Sequence, residues 1–156
     1  MRPLLALLLF ATALVTARAA DVEFVRVWPA WRDEASFRRI SEYFDGKENT
    51  GHQIVLRTHA DARAGFYFLA RIANSAAAHP GAKFVLHLIT PDAADPKIFT
   101  FPATVPAGST VFQLGLTGPD WAGEKVHPVA WKLELLAADA RLLAVEKSFL
   151  WEKPAK

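Results

Sequence analysis

The chain reads as a mainly β protein, an antiparallel β-sandwich of about seven to eight strands with one short N-terminal helix, and three observations predict it. Short apolar segments, several of them alternating with polar residues, recur along the sequence and number eight candidate strands. Turn formers separate them at close spacing, in keeping with 10 Pro and 8 Gly spread along the chain. A βαβ fold would need helices between its strands, and only one helical pattern is present.

The first nineteen residues stand outside that pattern. Met1-Arg2 supplies a positive start, Leu4 to Val15 is an apolar run broken by Thr12, and Ala17-Arg18-Ala19 places small residues at a cleavage site. Residues 1–19 are therefore expected to be a secretory signal peptide, with an uncleaved membrane anchor as the alternative. The expected address is export, either periplasmic or secreted. Residues 20–156 form a single expected domain, with no membrane span once the leader is removed.

The whole chain has 18 Lys plus Arg against 16 Asp plus Glu. Arg2 and Arg18 account for the excess, so the remainder is balanced and gives no electrostatic case for nucleic acid. There is no Cys, so the domain must fold without disulfides and cannot be a lipid-anchored lipoprotein. A chain of this length buries enough apolar surface to do so.

Val22 to Trp28 reads as a strand ended by Pro29, with Phe24 and Trp28 on one side and Val25 and Val27 on the other. Asp33 stands at an N-cap position, and Phe37, Ile40 and Phe44 recur at helical spacing. The spacing predicts one helix from Glu34 to Phe44, stopped by Gly46, with that apolar face covering an end or edge of a sheet. Gln53 to Thr58, Gly65 to Ala73 and Lys83 to Thr90 follow as strands, the last apolar on both faces and therefore central. Pro91 to Pro96 reads as a turn before a short strand, Lys97 to Phe101. In the strand Thr110 to Thr117, Phe112, Leu114 and Leu116 are expected to face inward.

Val129 to Trp151 is the ambiguous stretch. Local propensity favours a helix over Leu133 to Lys147. A helical stripe through Leu133, Leu136, Ala140 and Leu143 would however run into Lys147 and leave Trp131 and Phe149 on other faces. A strand pair aligns Trp131, Leu133 and Leu135 on one face. Its return strand puts Leu143, Val145, Phe149 and Trp151 together, with a weak turn at Ala138-Asp139. The hairpin is the better account.

No catalytic or cofactor motif stands out, and the expectation is a non-enzymatic protein with no cofactor. His52, His59, His79, His87 and His127 have no ligand spacing to one another, and no Cys completes a zinc site. No G-x-S-x-G elbow is present. Asp92 and Asp95 are too few for calcium. The turn holding Thr58, His59, Asp61 and Arg63 is the most polar one, suited to a small anion or a metal, although a solvated turn is the simpler reading. Trp121, in the loop GPDWAG beside Asp120, and the pair Trp28 and Trp31 are the candidate ligand or partner contacts. A loop Trp can be a flat platform for a sugar or an anchor for a partner, while burial is its commoner fate.

The segments GFYFLARIA, KFVLHLIT, TVFQLGLT and VAWKLELL resemble the small exported bacterial β-sandwiches of the immunoglobulin or fibronectin type III kind. Two departures are the absent Cys pair and the extra helix at Glu34 to Phe44. The resemblance implies a binding or structural role in the cell envelope rather than catalysis, toward an unknown protein or an envelope glycan. A carbohydrate-binding module using the loop tryptophans is the second reading. A hydrolase or metal-dependent enzyme with residues scattered in sequence is the third.

Overall fold

The computed structural model describes residues 20–152; the leader expected at 1–19 lies outside them. Eight strands form two four-stranded sheets. Sheet A has the order β1 (Val22–Arg32), β3 (Gly65–Asn74), β6 (Gly108–Thr117), β2 (Ile54–Arg57). Sheet B has the order β5 (Ala93–Val105), β4 (His79–Thr90), β7 (Ala130–Leu136), β8 (Leu142–Lys147). Neighbours pair antiparallel except β2 with β6, which run parallel. The architecture is an immunoglobulin-like β-sandwich.

Period-two alternation places the core between the sheets. Phe66, Phe68, Ile72, Phe112, Leu114 and Leu116 point in from sheet A, and Phe84, Leu86, Leu88, Leu133 and Leu135 from sheet B. Ring contacts link the layers: Phe84 meets Phe112 at 4.9 Å between centroids, and Phe68 meets Trp131 edge-on at 5.5 Å. Each such side chain withdrawn from water contributes about 1.5–3 kcal/mol against chain entropy.

The closing stretch is the expected hairpin, β7 with β8, which rules out the long helix. Its turn lacks glycine, and Ala140 itself takes the left-handed conformation at φ 64°. Asp139 supports the turn by accepting the Arg141 amide at 3.1 Å. The return strand differs from expectation, because pairing shifts between Leu135 and Leu136. Leu143 and Ala144 pack on the core, whereas Val145 and Phe149 are exposed. A 3-10 turn at Phe149–Glu152 then carries Trp151 onto the outer face of sheet B.

Three further expectations are corrected. Strand β1 continues through Pro29, in register with Phe68 of β3, which is tolerated because an edge strand has a neighbour on one side only. A bulge between Phe24 and Arg26 advances its alternation by one residue. Val27 therefore joins Phe24 against the core, and Arg26 and Trp28 turn outward. Strand β5 begins at Ala93 rather than Lys97, leaving a tighter turn after β4. The helix expected from Glu34 to Phe44 is two separate turns, a 3-10 turn at Ala35–Phe37 and an α-helical turn, α1, at Glu42–Asp45.

Asp33 still accepts the Ser36 amide at 2.8 Å, and Gly46 still ends the second turn at φ 67°. The interruption falls at Arg38, which is extended. So short a stretch gains little from helix propagation, and Phe37 alone of the expected apolar face is drawn into the protein.

Candidate functional site

Residues 33–53 cross from the end of β1, at one edge of sheet A, to β2 at the other. An arginine, glutamate and tyrosine network holds this inserted segment. Arg57 on β2 donates through Nη1 and Nη2 to the Glu48 carboxylate at 2.8 and 2.5 Å, and through Nε to Tyr67 Oη at 2.8 Å. Its side chain is only 7% exposed. Tyr67 Oη in turn donates to the Arg63 carbonyl at 2.7 Å, and the Arg63 guanidinium pairs with Glu42 of α1 at 2.7 Å.

Phe37 lies on the Tyr67 ring at 4.8 Å, with the guanidinium groups of Arg32 and Arg57 over its own ring at 5.0 and 4.9 Å. Beneath Tyr67 is Gly115 of β6, its register partner, where a Cβ would overlap the phenol ring.

The electrostatics keep this network charged. The Arg57 hydrogen bond holds the Glu48 carboxyl below its ordinary range, outweighing burial. Glu48 raises Arg57 in return, and burial pushes the Tyr67 phenol up. With its base pinned, the segment displays Ile40, Tyr43 and Phe44, which are 78%, 79% and 87% exposed. The expectation that Ile40 and Phe44 cover a sheet is thus corrected: Phe37 does the covering and the other two face solvent.

Beside the segment, on the same outer face, an open groove of about 460 Å³ has a floor of Trp28, Leu69 and Val111. Arg71 and Arg32 stand at its margins, and Gln53 closes one side. The Arg26 guanidinium lies over the Trp28 ring at 4.5 Å, with Arg71 at 5.9 Å. Arg32 donates to Gln113 at 3.0 Å, and Gln113 donates to Gln53. A second, more polar hollow adjoins it, sharing Arg32 and Gln53 and adding Arg39 together with Glu48 and Asn49.

The residues singled out in the sequence divide among three places. Trp28 is half-buried in the groove, and Trp31 contributes to the groove while packing against the core. Trp121 is 7% exposed, stacked on Phe66 at 4.6 Å, with its indole N–H donating to the Gly123 carbonyl at 3.0 Å. Its ring is a cap on the core, which removes it as a sugar platform. Asp120 and His59, separate in sequence, meet at 3.1 Å between Oδ2 and Nε2.

Asp61 is exposed two residues from His59 and has no ion pair or hydrogen bond among the described residues. The nearby hydroxyls are committed to backbone. Thr117 Oγ1 donates to the His59 carbonyl at 2.9 Å and accepts its amide at 3.0 Å, while Thr58 Oγ1 accepts the Thr117 amide at 3.0 Å. The pair therefore fastens the β2–β3 turn to the end of β6.

No cluster of three or more His, Asp or Glu able to hold a metal ion occurs among the described residues, and no helix there is long and apolar enough to cross a membrane. Sequence reasoning did not find Arg57, Tyr67 or Glu48. The one available signal was Gly115, a glycine inside an apolar strand, which marks a close approach by another group.

No protein-family model matches the chain, and no curated protein does. A structural match is found to the crystal structure of an immunoglobulin-like protein from Pseudomonas aeruginosa. It is 18% identical, with a TM-score of 0.34, over 82% of this chain and 94% of that one.

Proposed function

We propose that this chain is an exported, non-enzymatic binding domain of the cell envelope, engaging a partner protein through the outer face of sheet A and the segment inserted beside it. The observation that carries the reading is the display of Ile40, Tyr43 and Phe44. Burying a side chain of that size is worth about 1.5–3 kcal/mol, yet the fold leaves three together in solvent. It anchors the segment that bears them with a largely buried ion pair and two charge-assisted contacts. Clustered exposed apolar groups on a braced segment are what a docking surface requires. The leader-like residues 1–19 support export, and the hydroxyls around His59 and Asp120, all bound to backbone, support the non-enzymatic part.

The test is capture from envelope extract by the tagged chain and by its Ile40→Ser/Tyr43→Ser/Phe44→Ser variant. The expected outcome is a specific partner recovered by the first and lost by the second. Folding stability of the variant should stay within about 0.5 kcal/mol of the parent, since exposed positions contribute little. Equal recovery by both, or turnover of a small-ester or glycan panel by the purified chain, overturns the reading.

A further inference from the structure

The arginines among the described residues fall into two sets. Arg38, Arg57, Arg63 and Arg141 each pair with a carboxylate. Arg26, Arg32, Arg39 and Arg71 have no carboxylate within ion-pair distance among the described residues. All four of the second set line or flank the two adjoining hollows on the outer face of sheet A. Residues 20–156 balance in charge as a whole, so four like charges gathered on one face are a local excess and repel one another. An anion arriving there relieves that repulsion and gains bidentate hydrogen bonds.

We propose that this arginine-rimmed groove binds an extended acidic peptide segment of the partner protein. The inference rests on the binding-domain reading and names the chemistry of the partner. Two features favour a peptide over an acidic sugar. Around Trp28 the groove's polar side chains are Arg32, Arg71 and Gln53, mostly donors, with Glu48 and Asn49 confined to the adjoining hollow, whereas sugar hydroxyls need acceptors as well as donors. The floor of Trp28, Leu69 and Val111 suits apolar side chains alternating with carboxylates along an extended chain.

The dimensions also agree. Arg26 and Arg32 are six residues apart on β1, and a strand rises about 3.3 Å per residue, giving a span of about 20 Å. A peptide of about six to eight extended residues covers it, its carboxylates on the rim and its alternate apolar residues on the floor.

The experiment is fluorescence anisotropy of the full chain with a labelled peptide of alternating Glu and Val, about eight residues long. An alternating Lys and Val peptide, a uronic-acid oligosaccharide and phosphatidylglycerol vesicles serve as competing probes. The acidic peptide is expected to bind and the basic one not. Binding should weaken roughly tenfold or more in Arg26→Glu/Arg71→Glu, and also on raising salt to ~0.5 M. Trp28→Ala should weaken it through the floor alone, with circular dichroism confirming that each variant is folded.

The Ile40→Ser/Tyr43→Ser/Phe44→Ser variant should keep its affinity for the peptide. That separates this inference from the reading above: partner capture that persists while the acidic peptide fails to bind overturns only the groove. Peptide affinity unchanged by Arg26→Glu/Arg71→Glu, or tighter binding of the oligosaccharide or the vesicles at the same arginines, also overturns it.

Discussion

On the outer face of sheet B, Lys132 and Glu134 of β7 and His87 of the adjoining β4 satisfy one another directly. Glu134 accepts from Lys132 at 2.8 Å and contacts His87 Nε2 at 2.8 Å, and Trp151 from the C-terminal turn lies over both partners. Burial alone would raise the Glu134 carboxyl, but the Lys132 and His87 hydrogen bonds outweigh it and the net shift is downward. On the outer face of sheet A, by contrast, the glutamates that neutralise Arg57 and Arg63 come from a segment outside the sheet. The arginines that those glutamates do not pair with are left around an open groove. Strand register closes a face with its own neighbours, whereas an inserted segment closes only the part that it crosses.

The sharpest way to break the comparison is to remove its central cation. Arg57→Ala leaves Glu48 and the Tyr67 hydroxyl without their donor in a site largely closed to water, and should cost about 3 kcal/mol in denaturant unfolding. Lys132→Ala, its counterpart on the more open sheet B face, should cost about 1 kcal/mol or less. Similar losses for both would show that the two faces are held alike.

A smaller effect is expected from Gly115→Ala. The new Cβ overlaps the Tyr67 ring, which Phe37, Arg57 and the Arg63 carbonyl keep from moving aside, so about 2 kcal/mol should be lost. An unchanged melting midpoint would mean that Tyr67 is not fixed.

The acid limb of stability should respond least. Glu48 and Glu134 both have carboxyls lowered from the ordinary 4.5. A carboxyl lower in the folded than in the unfolded chain stabilises above the unfolded value, and that contribution is lost as pH falls through the folded one. Stability should thus decline below about pH 4.5. Glu48→Gln and Glu134→Gln should each make the decline shallower. A slope indifferent to Glu48→Gln would detach the inserted segment from acid unfolding.

Alternation made the core strands legible. Phe66, Phe68, Phe112, Leu114 and Leu116 fall on the inward face that their spacing implies, because a period of two is a local property of extended backbone. The closing hairpin was legible for a related reason: Trp131, Leu133 and Leu135 share one face only in a strand. Trp28 was singled out as a candidate contact and lines the groove, but alternation set it beside Phe24, and the bulge that turns it outward could not be read, since Val25 carries no local mark of it.

The helix over residues 34–44 was misread because its apolar spacing is helical. What breaks it is the attraction of Phe37 to Tyr67, thirty residues onward. Trp121 looked like a loop residue, and its burial depends on Phe66, whose proximity no local pattern announces.

The amino-acid sequence by itself determined the sandwich, its alternating core and the closing strand pair, because these follow from each residue's relation to its near neighbours. Only the tertiary structure decided which arginines meet a carboxylate and which do not. Arg57 and Arg63 reach glutamates supplied by a segment that crosses the sheet, and Arg26, Arg32, Arg39 and Arg71 gather from β1, β3 and that same segment. Coulombic pairing depends on distance in space, and distance in space is set by the fold.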